Sequence, residues 1–139
     1  MEYIKSCGFV VFKEIEGKIY YLIIRTCNEE YGFPKGHVEN DETEYETAIR
    51  ELKEETNIEV SIVNSFRQQV EYKFPNRENV MKQSVYFLGE WTGNELKCQE
   101  TEVLEAKFVT YQDAMELLTF EETKGVLKEA HKYVMRCIL

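Results

Sequence analysis

Three glutamates, Glu51, Glu54 and Glu55, stand at i, i+3 and i+4 in a stretch that reads as a helix. At about 100° per residue, the second and third fall within about 60° of the first around the axis, so the carboxylates share one side. Like charges at this spacing repel by about 0.2–0.5 kcal/mol per pair even when solvated. Lys53 is close by in the chain but points elsewhere. Two fates can relieve the repulsion. In a chain with 26 acids, such a cluster is ordinarily a solvated face. A hard divalent cation would instead turn repulsion into attraction, because Mg²⁺ accepts carboxylate oxygens together with water and phosphate oxygens. Arg50 has a plain role available to it, an i, i+4 ion pair with Glu46.

The wider spacing tips the balance. After Gly36 come five residues and Glu42, then seven and Arg50-Glu51-Leu52, one and Glu54-Glu55, one and Asn57-Ile58. Over residues 36–58 this resembles the Nudix, or MutT-like, box, the signature of hydrolases that cleave nucleoside diphosphates linked to another moiety. Every charged position of the box is filled. One position departs, with Asn57 where the box has glycine. Asparagine tolerates the left-handed conformation that ends a helix, so the helix is expected to stop there, with some loss of stability.

The resemblance implies metal ligands: the Gly36 carbonyl, Glu51, Glu54 and Glu55, holding Mg²⁺, with Mn²⁺ as a substitute. Such ions neutralise phosphate oxygens, lower the pKa of a water and orient it for in-line attack. Arg50 would hold the carboxylates in place, and Glu42 would brace the loop. The catalytic set is then Arg50, Glu51, Glu54, Glu55 and a glutamate outside the box. Glu102, six residues before Phe108, matches a family spacing for that further ligand or base, and Glu100 and Glu105 compete with it. Which of Glu51, Glu54 and Glu102 is the base stays open.

Other segments narrow the resemblance to asymmetrical diadenosine tetraphosphate hydrolases. Pro34-Lys35-Gly36-His37-Val38-Glu39 looks like the segment that opens their box. Phe66 and, six residues on, Tyr72 resemble a pair whose tyrosine stacks on adenine. Lys82 aligns with a lysine that contacts the phosphate chain. By resemblance, Lys35, His37, Tyr72 and Lys82 bind substrate. Each has a plainer reading: Tyr72 as a strand aromatic, Lys82 as protection of a sheet edge, His37 as a loop histidine. Tyr31, Tyr111 and Phe120 are candidate second stacking partners. Phe120-x3-Lys124-x2-Leu127-x3-His131 also resembles these enzymes, with His131 read as structural.

Elements must position these residues. Tyr3–Phe12 and Lys18–Arg25 read as strands joined through Glu14-Ile15-Glu16-Gly17, and residues 28–36 as a loop. A helix is expected to start near Asn40 to Thr43, where Thr43 and Glu46 form a capping box, with a buried stripe of Tyr45, Ala48 and Leu52. Glu59–Tyr72 and Val80–Trp91 read as long strands around a turn at 74–79, followed by a short strand Ala106–Val109. Helices are expected at Gln112–Leu118 and Glu121–Ile138, the latter with an apolar side of Val126, Leu127, Ala130, Val134 and Ile138. The mixture predicts an α+β, or mixed α/β, chain: a mixed sheet sandwiched between helices (α/β/α), as in the Nudix fold.

Composition agrees. One domain suits 139 residues, 43% of them hydrophobic, and a chain of this length can hide roughly two-thirds of its unfolded surface. A net charge of −9 argues against duplex DNA unless a cation bridges acids and phosphates. The apolar runs at 8–12 and 19–24 are too short to cross a bilayer, and no signal peptide is visible. Cys7, Cys27, Cys98 and Cys137 form no C-x-x-C pair, so reduced thiols and a cytoplasmic setting are expected. The oligomeric state is open, a monomer being the simpler expectation. The expected partner is a small nucleotide, a dinucleoside polyphosphate. The expected reaction is Mg²⁺-dependent hydrolysis of diadenosine tetraphosphate to ATP and AMP. The alternatives are another Nudix pyrophosphohydrolase, acting on 5′-triphosphorylated RNA, a nucleoside triphosphate or a nucleotide sugar, and a nucleotide-sensing domain without catalysis.

Overall fold

The structure, a computed structural model, describes residues 1–73, 76–99 and 101–138. β1 (Glu2–Ile15) and β2 (Lys18–Thr26) make an antiparallel hairpin. Its turn is only Glu16-Gly17, both at positive φ (52° and 80°), a geometry that matches the twist of tightly joined strands. Part of the expected loop is paired: β3 (Tyr31–Gly32) lies on β2, and β4 (Lys35–His37) on β1. Segments this short carry no periodicity for sequence reading to detect.

α1 (Glu44–Thr56) begins at the capping box: Glu46 N–H donates to Thr43 Oγ1 at 3.1 Å, and Thr43 N–H donates to Glu46 Oε1 at 2.8 Å. Glu46 is thereby committed, and Arg50 turns to other carboxylates. β5 (Val60–Lys73) and β6 (Val80–Trp91) pair antiparallel around a bulge between Val63 and Arg67. Phe74 and Pro75, in the expected turn, lie outside the described residues. β7 (Val103–Thr110) is longer than expected, and α2 (Tyr111–Leu117) and α3 (Glu121–Cys137) follow.

The sheet runs β3-β2-β1-β6-β5, with β4 also on β1 and β7 on β2. β1 and β6 are parallel and the other pairs antiparallel, so the sheet is mixed. Alternation along β1 feeds two cores. Val10 and Phe12 pack with Tyr21, Leu88 and the α3 residues Val126, Leu127, Ala130 and Val134. Phe9 and Val11 pack on the other face with Phe87 and the α1 residues Ala48 and Leu52. The expected α/β/α sandwich of the Nudix fold is therefore present. Two helix residues depart from the expected stripes. Tyr45 is 36% exposed and lays one ring face on Phe87, centroids 3.9 Å apart. Ile138 sits past the end of α3 and is exposed. Among the described residues, no helix is long and apolar enough to cross a membrane.

Asn57 ends α1 in the left-handed region (φ 63°, ψ 4°), its N–H donating to Lys53 O at 2.9 Å. Its side chain does what a glycine could not: Nδ2 donates to Glu95 O at 2.9 Å. Asn94 Nδ2 donates in return to Asn57 O at 2.7 Å. Lys97 and Gln99 N–H groups cap the Thr56 and Glu55 carbonyls at 2.9 and 3.0 Å, so residues 94–99 form a strap over the helix end. Asn57→Ala loses both the left-handed tolerance and the clamp, and is expected to cost about 1–2 kcal/mol in urea unfolding. Asn57→Gly keeps the conformation and should stay within about 1 kcal/mol of the native protein. An unchanged midpoint for the alanine variant would contradict the clamp.

Candidate active site

β4 brings Gly36 against the middle of α1. A Cβ at Gly36 would fall inside the Glu51 carboxylate, so no larger residue fits while Glu51 holds its place. Gly8, on the paired strand β1, is as tight, since a Cβ there would strike the Pro34 carbonyl.

Arg50 organises the acids. Its Nε and Nη2 donate to both oxygens of Glu42 at 2.7 and 3.0 Å, and its Nη1 to Glu51 at 2.8 Å and Glu54 at 3.3 Å. Nη2 also donates to His37 O at 3.1 Å. Glu42 accepts further from Glu39 N–H and from the Thr47 hydroxyl. The hydrogen bonds from Arg50, above all, hold the Glu42 carboxyl down to about 2. Sequence reading gave Arg50 and Glu42 this bracing part; the geometry is compatible with it.

The three box glutamates differ in surroundings. Glu54 is half-exposed. Glu51 is largely covered, and burial raises its pKa against the pull of Arg50. Glu55 is 7% exposed, and burial, followed by the nearby Glu51, pushes its carboxyl up to about 8. Its Oε1 has no hydrogen-bond partner. A signal for this lay in the sequence, because continuing the Ala48, Leu52 stripe by three residues reaches Glu55.

Glu102 follows the strap of residues 94–99. Val103 N–H donates to Gln99 O at 3.1 Å, and Glu102 O accepts from Cys27 N–H at 3.0 Å. Its carboxylate acts electrostatically on both Glu51 and Glu55. Glu105 faces Arg25 and Lys107, and Glu100 lies outside the described residues. A cleft of about 350 Å³ is lined by Ser6, Gly36, Glu39, Glu51 and Glu102, with Lys35, His37 and Lys82. Among the described residues, no three acidic, histidine or cysteine side chains already converge in a metal-ligand arrangement. The donor set still suits a hard cation: an orphaned, buried Glu55 oxygen, a covered Glu51 carboxylate against the Gly36 backbone, and Glu102 across the cleft.

A larger cavity of about 820 Å³ adjoins it, the two sharing Lys35 and Lys82. Its walls include Tyr31, Phe33, Tyr72, Tyr86 and Phe120. Lys82 Nζ lies 5.9 Å from the Tyr72 ring, its partner across the β5–β6 ladder. Lys35 Nζ donates to Ser84 Oγ at 3.3 Å and lies over the Tyr86 ring. Of the candidate second aromatics, Tyr31 and Phe120 reach this cavity. Tyr111 instead stacks on His131 at 4.0 Å, and Tyr21 OH hydrogen-bonds His131 Nδ1 at 2.7 Å. Phe66 is buried in the core against Tyr133. Sequence reading passed over Ser84 and Tyr86. Their signal was the alternation that puts Lys82, Ser84 and Tyr86 on one face of β6.

The fold and this acidic cleft are those of a nucleotide-cleaving hydrolase class. The model of the NUDIX domain matches residues 6–130. The chain belongs to the Nudix family, whose members generally use divalent metal ions, and is an enzyme that acts on pyrophosphate bonds. Among its relatives is the asymmetrical bis(5′-nucleosyl)-tetraphosphatase of Mus musculus, 28% identical, with 94% of this chain and 95% of that protein covered. The enzyme of that name from Caenorhabditis elegans is 27% identical, over 91% of this chain and 93% of its own. A crystal structure of a C. elegans Ap4A hydrolase binary complex superposes with a TM-score of 0.86 at 25% identity, covering 95% of this chain and 98% of that one.

Two outcomes are expected. Gly36→Ala should drive the Glu51 carboxylate from its place and lower turnover roughly a hundredfold with unchanged far-ultraviolet circular dichroism; undiminished turnover would contradict the close approach. The second concerns the metal-free protein. Glu55 titrates near 8 in the folded chain and near 4.3 when unfolded. Its contribution is fully present below the unfolded value and lost as pH rises through the folded one. In EDTA, stability should therefore fall between about pH 5 and pH 8, and Glu55→Gln should flatten that slope. Parallel urea-midpoint profiles for the two proteins would refute it.

Proposed function

We propose that the chain hydrolyses dinucleoside tetraphosphates asymmetrically, as in the conversion of diadenosine tetraphosphate to ATP and AMP, with Mg²⁺ or Mn²⁺ as the activating ion. One observation carries this reading. An aromatic cavity large enough for a nucleoside opens directly into a carboxylate-lined cleft, and the two share Lys35 and Lys82. Such a ligand needs an apolar slot at one end, positive charge along its length and a hydrolytic centre beyond.

In this reading a base stacks on Tyr72, opposite Tyr31 or Phe120. Stacking of this kind contributes about 1–3 kcal/mol per base in nucleic-acid complexes. Lys35 and Lys82 neutralise part of the phosphate chain, and His37 lines the same cleft. Glu51, Glu54, Glu55, Glu102 and the Gly36 carbonyl would hold the divalent ions, which when bound supply positive charge at phosphate oxygens and a more acidic water. Arg50 keeps Glu51 and Glu54 in register, and the proton of the attacking water passes to one of the cleft carboxylates. Water attacks the fourth phosphorus from the bound nucleoside. The bridging bond to the third phosphate breaks, and ATP leaves with the bridging oxygen. We place the enzyme in the cytoplasm as a single domain; its four cysteines are free thiols.

Incubation with diadenosine tetraphosphate and Mg²⁺ should yield ATP and AMP in equal amounts on chromatography, with ¹⁸O from labelled water in AMP. Two ADP, or no turnover, would sink the proposal. Glu51→Gln should remove turnover while leaving the fold intact. Tyr72→Ala should raise KM by roughly tenfold, the equivalent of one lost stack.

A further inference from the structure

The aromatic cavity carries two carboxylates that the proposed reaction does not use. Glu30 and Glu122 both line it and are half-buried. Neither side chain has an ion pair or hydrogen bond among the described residues, whereas the adjacent Glu29 and Glu121 are paired with Arg25 and Lys124. Glu122 has a plain role in the first turn of α3, where an acid favours the helix N-terminus. That role does not extend to Glu30, which belongs to no helix.

The backbone holds the two together. Tyr31 N–H donates to Thr119 Oγ1 at 2.8 Å, and Thr119 N–H donates to Tyr31 O at 3.2 Å. Residues 30 and 120–123 therefore flank one stitched junction. Glu30 is fixed on its other side, its carbonyl accepting from Thr26 N–H at 2.9 Å. The nearby Thr123 hydroxyl is committed to Phe120 O at 2.7 Å. This end of the cavity is thus rich in acceptors. Lys73 lines the cavity as well and can donate.

Purine edges differ in how they meet such a lining. Guanine presents N1–H and N2–H₂ side by side, two donors matching the two oxygens of a carboxylate, and O6 and N7 for an ammonium group. Adenine turned the same way presents the N1 lone pair, which a carboxylate repels. An ionised carboxylate only accepts, so the mismatch cannot be relieved by rotating a hydroxyl or amide. We propose that Glu30 and Glu122 make this cavity selective for guanine, so that guanine-containing dinucleoside polyphosphates are its preferred substrates. The inference rests on the reading above that a base occupies the aromatic cavity.

The test uses guanosine, inosine and adenosine 5′-monophosphates, which have no anhydride bond to cleave, titrated calorimetrically into the full chain with Mg²⁺. Guanosine monophosphate should bind roughly tenfold tighter than the adenosine compound, as expected for a charge-assisted pair of hydrogen bonds. Inosine monophosphate lacks the N2 amine and should fall between them. In an E30Q/E122Q variant the guanosine-to-adenosine ratio should drop towards one. Equal native affinities, inosine binding as tightly as guanosine, or an unmoved ratio in the variant would each overturn the proposal. The native comparison needs no variant to fold. Asymmetrical turnover with equal base affinities would keep the proposed reaction and refute this selectivity; guanine-selective binding without turnover would do the reverse.

Discussion

One guanidinium sets the geometry of the acidic face. Arg50 grips Glu42 through two nitrogens, reaches Glu51 and Glu54 through a third contact point, and donates to the His37 carbonyl. His37 ends β4 and Glu42 lies in the loop after it, while Glu51 and Glu54 belong to α1. The side chain therefore ties two elements together as well as neutralising charge. A lysine could not replace it, since a compact ammonium lacks the planar fork that meets several oxygens in fixed directions. With Arg50 engaged, Glu51 is held against the Gly36 backbone, and the missing Cβ at residue 36 follows from that contact.

The opposite end of α1 is fixed by different means, and it sets the second wall of the cleft. The strap at 94–99 caps the last carbonyls of the helix and is clamped by Asn57 and Asn94. The chain then turns through Glu102 into β7. Glu102 is thus positioned by the helix whose carboxylates it faces, although about fifty residues of chain separate them. Glu55 lies between these two supports, on the buried stripe with Ala48 and Leu52. Burial raises the pKa of this carboxyl, which favours its neutral form there. Without that shift an isolated buried charge would oppose folding of the helix that carries it.

Legibility in the sequence followed the length and regularity of each pattern. The long strands and the helices α1 and α3 stood out in the sequence, and the capping box at Thr43 lay at the end of the 40–43 window expected for the start of α1. β3 and β4 escaped because two or three residues hold no period, and their pairing depends on β1 and β2 being in place. The spacing of the box brought Gly36, Arg50 and the glutamates together, since a helix converts spacing directly into direction. The reading of Arg50 with Glu46 failed because the capping box had a prior use for Glu46. The cavity was the least legible part. Its walls come from β2 to β6, the end of α1 and the start of α3, and Tyr31 and Thr119 meet only through tertiary pairing. Aromatic residues alone could not distinguish Tyr31, which reaches the cavity, from Tyr111, which packs on His131.

The net charge of −9 takes on a different meaning once its distribution is known. Glu51, Glu39 and Glu102 line one cleft, Glu55 lines the aromatic cavity beside it, and two lysines stand where the two meet. Stacking in the cavity depends little on salt, whereas attraction or repulsion of phosphates in the cleft depends strongly on counter-charge. The two halves of the groove therefore solve separate problems. Under the proposed reaction the aromatic half would hold the base with little dependence on salt, and the carboxylate half would take phosphate only when cations compensate it. Lys35 on β4 and Lys82 on β6 line both halves, and under the proposed reaction their placement would set which phosphorus along the chain lies among the carboxylates. Under that reading, the acids in the cleft make phosphate binding conditional on a metal.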